Sequence, residues 1–323
     1  MTDPRLVLVQ HPPVFLNKAA SVARALDLID QATGHDPAVI AFPETWLPGY
    51  PVWLDHAPGA ALWDEAGAQS LFRLVFDNAV CLGDAAMATL QQAANRSGAH
   101  IIMGAHERLG GTLYNTQFSF NPGADAPALH RKLTPTYNEK LIWGQGDGST
   151  LPVVATAFGA VGGLICWEHW MPLARAAMHA QGEVLHIAQW PAVGEAHQLA
   201  SRHYAFEGRC FVAAVGTVLS KGAVLEGFDT LAVDAPAARA MLESIPGDAE
   251  RLLQAGGSAV IGPDGGYVTE PLYDQAGLIA ARLDLDRLTE ARLTLDSHGH
   301  YARPDVFDLR VDTRPKPGVR FDG

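Results

Sequence analysis

Two spacings of apolar residues alternate along this chain. Short apolar runs at Arg5 to Gln10 (RLVLVQ) and Ala38 to Phe42 (AVIAF) flank Lys18 to Ala32, where Ala and Leu recur every three to four residues. Continuous short runs fit buried strands and the wider spacing fits an amphipathic helix, so the chain opens strand, helix, strand. The same pattern predicts a helix over 73–97, a buried strand at 101–105, and an alternating strand at 114–120 reached through a turn at Gly110 and Gly111. The apolar, glycine-interrupted run from Leu151 to Trp167 predicts two buried strands. A helix over 171–181 follows, with Pro172 in its first turn, where proline is tolerated. Strands at 184–188 and 211–215 then enclose a helix at 196–208, and 258–261 with 277–285 reads as a closing hairpin around "GPDGG".

Strands and helices in this alternation imply a layered α/β sheet protein. Residues 220–255 are less apolar and read as a loop and helix insertion, while the Pro-rich, basic end at 310–323 reads as an arm on a surface. With no repeat and no break in composition, 1–323 is expected to be one domain.

Composition narrows the partners. With 323 residues and 48% hydrophobic content the chain can bury a large core. Its formal charge of −12 argues against nucleic acid or an anionic membrane as partner, and leaves a small uncharged molecule compatible. Cys81, Cys166 and Cys210 form no CxxC pair, and an odd count suits neither a disulfide framework nor a zinc site. A cytoplasmic setting is expected, with no secretion signal visible at the start and no apolar stretch of membrane-spanning length. No metal or cofactor is expected, because spacings such as HExxH are missing.

The candidate chemistry centres on "GGLICWEHWMP", where Cys166 ends an apolar strand just before a helix. By itself that leaves a packed core thiol and a nucleophile both open, although a helix N-terminus would favour thiolate. Two other segments place chemistry after strands. "AFPETWLPGYP" carries Glu44 in a Pro-rich turn, and "HRKLTPTYNEK" carries Lys132 and Glu139. Were the strands neighbours, a carboxylate, an ammonium and a thiol would meet at one end of the sheet. There the carboxylate could take the thiol proton, the sulfur attack a carbon bonded to nitrogen, and the ammonium steady the developing negative charge.

These three motifs, in this order, resemble the nitrilase superfamily, and specifically its true nitrilase branch, over nearly the whole chain. "LHIAQWP" (185–191), "GGSAVIGPDG" (256–265) and "GHYARPDVFDL" (299–309) add to the resemblance. It implies an α-β-β-α sandwich that dimerises into an extended sandwich and can grow into spirals. It also implies Glu44, Lys132 and Cys166 as catalytic residues with Glu139 supporting, and the backbone N–H of Trp167 as Lys132's partner in holding charge. The implied reaction is hydrolysis of an organic nitrile to the acid and ammonia through a Cys-bound thioimidate and thioester. An amidase or carbamoylase with the same residues, or a silent binding protein on the same fold, are the alternatives.

Smaller expectations surround the site. Trp190 and Tyr50 are expected to line the substrate pocket, with Trp143 and Trp170 either there or in the core. Tyr137 stands where many relatives carry His, and His169 where Asn is the other choice. A Cys-His pair between Cys166 and His169 is the weaker reading. Glu168 is expected to be structural, as are Cys81 on a helix and Cys210 before a strand.

Overall fold

In the computed structural model, which describes residues 3–151, 153–316 and 319, two mixed sheets face each other. Five strands of the first sheet come early: β1 (Arg5–Gln10), β2 (Val39–Ala41), β3 (His100–Leu109), β4 (Thr112–Phe120) and β5 (Ala128–Arg131). The second sheet takes β6 (Val154–Thr156), β7 (Gly159–Ile165), β8 (Glu183–Gln189), β9 (Phe211–Val215), β10 (Val218–Ser220), β11 (Leu252–Ile261) and β12 (Tyr267–Tyr273). The last strand, β13 (Gly277–Arg282), returns to the first sheet and pairs antiparallel with β1.

Side-chain alternation builds the layers. Successive residues of a strand point to opposite faces, so Leu6 and Leu8 enter the core between the sheets with Ile187, Phe211 and Val260, while Val7 and Val9 face outward. Helices α1 (Lys18–Thr33), α2 (Trp53–His56), α3 (Ala66–Asn78) and α4 (Ala85–Ser97) follow the early strands, and α1 and α4 cover that outward face. On the other side, α5 (Pro172–His179) and α6 (Glu195–Gly208) cover the second sheet. The expected α-β-β-α sandwich is what forms.

The expected single helix over 73–97 is two helices, α3 and α4. Ala79 leaves the helical conformation, Val80 bridges to Glu107, and Asp84 accepts from the Met87 N–H to start the second helix. Cys81 therefore lies in the break and not on a helix. The closing hairpin is also different: β11 turns at "GPDGG" into β12, "YVTEPLY", and 277–282 joins the other sheet. Of the two strands expected in 151–167, β7 is buried at its inner half but β6 is a half-exposed edge.

Residues 220–255 hold α7 (Lys221–Asp229), α8 (Pro236–Glu243) and the start of β11, and α9 (Asp286–Arg292) follows later. Val224, Phe228, Ala238 and Leu242 of this segment share a core with Trp53 of α2 and Leu71 of α3. In the C-terminal arm, residues 310–316 are exposed and the Lys316 N–H donates to Asp147, while 317, 318 and 320–323 lie outside the described residues.

One contact between strand and loop fixes the site. Gly104 of β3 runs so close to the turn after β2 that a Cβ there would sit 2.2 Å from the Pro43 carbonyl oxygen and 2.6 Å from the Thr45 nitrogen. Gly104→Ala is expected to push the Glu44 turn away and cost roughly 1–3 kcal/mol, as overpacking does, read as a lower Tm.

Candidate active site

Glu44, Lys132 and Cys166 each follow the C-terminal end of a strand: β2 ends at Ala41, β5 at Arg131 and β7 at Ile165. Such ends are where α/β folds gather chemistry. Here the two sheets bring the ends together. One carboxylate oxygen from Glu44, one from Glu139 and the Cys166 sulfur lie within 4.8 Å of one another, all buried.

Lys132 sits among them. Its Nζ donates to Glu44 Oε1 at 2.9 Å and to Glu139 Oε2 at 2.6 Å. Asn115 of β4 also donates to Glu44 Oε1 at 2.7 Å, while Glu44 Oε2 has no partner among the described residues. Glu139 is held in a short turn over 137–141, where it accepts from the Thr136 N–H at 2.7 Å and from the Tyr50 hydroxyl at 3.1 Å. Two carboxylates thus share a single ammonium in a buried cluster.

The protonation states follow. Burial pushes Glu44 up to about 7, with Lys132 opposing and Glu139 reinforcing the rise. Burial pulls Lys132 down, but Glu44 and Glu139 beside it outweigh that and hold the ammonium. Burial and then Glu44 push the Cys166 thiol well up, against Lys132 and a hydrogen bond from the Trp167 N–H. The sulfur therefore rests as a thiol that needs a base, and Glu44 is poised near neutrality to be one.

The helix N-terminus expected at Cys166 is not there. Cys166 opens a single tight turn over 166–170, and α5 starts only at Pro172. Its φ of 53° is in the left-handed region, where a non-glycine residue is strained by about 1–3 kcal/mol. Glu168 of this turn accepts from the N–H groups of Ile165 (2.7 Å) and Leu133 (2.8 Å) and from His130 Nε2 (2.9 Å). It ties the strand end bearing Cys166 to the segment bearing Lys132, a structural part. His169 points its Nδ1 at the Cys166 carbonyl, 2.6 Å away, and its Nε2 at His186, so the Cys-His pair with the thiol does not form.

A cavity of about 340 Å³ opens onto these groups, lined among others by Tyr50, Glu139, Cys166, Trp167, His197 and Gln254. A larger hollow of about 760 Å³ lies at the opposite strand ends, beside Arg5, Ala38 and Phe158, and holds none of them. Tyr50 and Trp167 line the smaller cavity, whereas Trp190 does not. Its ring is fully buried, stacked against His169 and His197, and Pro191 and Ala192 form the wall there. Trp143 is core, donating to His106, and Tyr137 stands exposed at the mouth.

A carbon-nitrogen hydrolase family model matches residues 5–293. The chain belongs to the carbon-nitrogen hydrolase family. It is 36% identical to an aliphatic nitrilase of Rhodococcus rhodochrous, over 98% of this chain and 81% of that one. It is 34% identical to nitrilase 3 of Arabidopsis thaliana, over 98% and 89%. Among solved structures, a carbon-nitrogen hydrolase from Helicobacter pylori superposes with a TM-score of 0.66 at 18% identity, covering 94% of this chain and 96% of that one. A CN-hydrolase superfamily protein of Xanthomonas campestris gives 0.65 at 21% identity, over 91% and 95%; both likenesses are of fold.

In this carbon-nitrogen hydrolase, sequence reasoning missed Asn115, Thr136 and the pocket residues His197 and Gln254. Asn115 alone had a signal: it lies within the alternating strand ending at Phe120, one position from Tyr114. Thr136 sits in a loop, His197 on α6 and Gln254 at the start of β11, and their approach to the site depends on packing.

Proposed function

We propose that the chain is a single-domain nitrilase that hydrolyses a small organic nitrile to its acid and ammonia. The observation that carries this is the gathering of Glu44, Glu139 and Cys166 within 4.8 Å, with the Lys132 ammonium bonded to both carboxylates. Relatives named nitrilase, at 34 to 36% identity over nearly all of the chain, support the substrate class.

In this reading the free oxygen of Glu44 takes the Cys166 proton while the sulfur attacks the nitrile carbon. Negative charge grows on nitrogen, where the Lys132 ammonium and the Trp167 N–H meet it, and the proton from Glu44 completes a thioimidate. Water activated by Glu44 adds to that carbon, ammonia leaves, and a thioester remains. A second water releases the acid and restores the thiol. Glu139 holds Lys132 in place, and Tyr50 in turn holds Glu139. A cavity near 340 Å³ suits a small or medium-sized substrate.

Free cysteines fit a reducing cytoplasm as the working compartment. A homodimer, open to larger spirals, belongs to the same reading, with exposed Trp170 and Leu173 around the start of α5 and exposed Leu199 and Phe206 on α6 offering apolar surface for a second copy.

The test is a panel of nitriles and amides, with ammonia release and intact mass measured together. Acid from nitriles with a transient adduct on Cys166 is expected. Turnover confined to amides would make the chain an amidase or carbamoylase, and neither product nor adduct would make it a binding protein.

A further inference from the structure

Behind the nucleophile runs a sealed polar chain that the reaction above leaves unused. The Cys166 carbonyl meets His169 Nδ1 at 2.6 Å, His169 Nε2 meets His186 Nε2 at 3.0 Å, and His186 Nδ1 meets Glu183 Oε1 at 2.7 Å. Glu183 Oε2 accepts from the Tyr204 hydroxyl at 2.6 Å. His169, His186, Glu183 and Tyr204 are each at most 2% exposed. The backbone leaves room for this. Gly162 of β7 pairs with His186 of β8, and a Cβ on it would lie 1.8 Å from Glu183 Oε1.

Counting protons decides the chemical form. A carbonyl only accepts, so His169 Nδ1 must carry hydrogen, and the two contacts beyond it need one hydrogen each. Three links need three protons, whereas two neutral imidazoles and a carboxylate supply two. The third sits on Glu183, His186 or His169. On either imidazole it would create buried charge, which a low-dielectric interior penalises; on Glu183 it leaves every member neutral.

We propose that Glu183 works as a neutral carboxylic acid and, through His186 and His169, is a positioning residue that fixes the Cys166 carbonyl and with it the reacting sulfur. The idea rests on the nitrilase reading for its kinetic test. The lever is the peptide plane: the Cys166 carbonyl and the Trp167 N–H are two ends of one rigid unit. Anchoring the oxygen aims the N–H at the sulfur and at the nitrogen where charge develops. It also holds Cys166 at its strained φ of 53°.

The surroundings agree. Facing Glu183 are His186 from its own strand, Tyr204 from α6, His179 from α5 and Cys210 just beyond α6, with Glu207 across His179 bonded to Arg175. His130 and Glu168 act on His186 only through space. Burial lifts Glu183 to about 7 against the Tyr204 bond and His179, and burial, then His186, lowers His169 to about 3. Above about 7 the acid ionises, His186 turns its hydrogen toward the carboxylate, and the link to His169 is lost.

Glu183→Gln separates this from an ionised, merely structural glutamate, because an amide can donate to His186 and accept from Tyr204 at any pH. At pH 6 the Gln variant is expected to keep kcat within about threefold of the unsubstituted enzyme and to lose the fall in kcat on the alkaline side. Glu183→Leu is expected to lose about 100-fold in kcat with KM little changed. Subtracting the infrared spectrum of Glu183→Gln from that of the unsubstituted protein cancels the Glu44 carboxyl, which also titrates near 7, and should leave a protonated-carboxyl stretch that fades as pH rises through about 7. A Gln variant as damaged as the Leu variant, or no such band, overturns the proposal. If the Leu variant does not fold, the Gln variant and the band still decide. If no nitrile is turned over at all, the nitrilase reading has failed. Alkylation of Cys166 by iodoacetamide, located by peptide mass, then tests the positioning alone: Gln must match the unsubstituted protein.

Discussion

Cys166→Ala is expected to lower kcat on any accepted nitrile by at least about 10,000-fold, the scale seen when a covalent nucleophile is removed. No other cysteine stands in its place: Cys81 lies in the break between α3 and α4, and Cys210, just beyond α6, clusters with His179 and Glu183 and not with Glu44. The fold should survive. The change deletes one buried atom, costing on the order of 1 kcal/mol, and alanine keeps the same strained backbone. The checks are ammonia release, intact mass after exposure to nitrile, and Tm. An alanine variant retaining a few per cent of activity would mean that hydrolysis does not pass through a bond to Cys166.

Much of this site was legible because strand ends are legible. Glu44, Lys132 and Cys166 each come within three residues of a strand end, and apolar runs mark those strands well. What brings them together is the stacking of two sheets, which no local pattern encodes; the family resemblance supplied it. The helix break at 79–84 stayed hidden because apolar spacing continues across it, and only Gly83 and Asp84 marked the interruption. β12 was missed since Pro271 and Glu270 weaken the strand pattern, which an edge position tolerates. Trp190 was misplaced for a different reason: its segment ends a strand at the site, but only its backbone faces Glu44, with the Trp190 carbonyl accepting from the Glu44 N–H at 3.4 Å. The chain from Glu183 to Cys166 was invisible because it depends on the register of β7 against β8 and on the missing side chain of Gly162.

Lys132→Met should be harsher than loss of the nucleophile, because it injures fold and chemistry together. Methionine fills much of the space but leaves Glu44 and Glu139 facing each other in a buried site with no cation. Removing one partner of a buried ion pair costs roughly 3–5 kcal/mol. The deficit depends on pH. Glu44 already sits at about 7, above its ordinary range, and without the opposing ammonium it moves higher. A carboxyl raised by folding contributes stability fully below its unfolded pKa, about 4.3, and loses it as pH rises through the folded value. The variant should therefore approach the unsubstituted protein near pH 5 and fall furthest behind at pH 8, as urea unfolding at both would measure. Lowering the pH would restore the fold without restoring turnover, since a protonated Glu44 is no base and no ammonium meets the charge on nitrogen. A stability gap that stayed constant from pH 5 to 8 would place the compensating charge elsewhere than on Lys132.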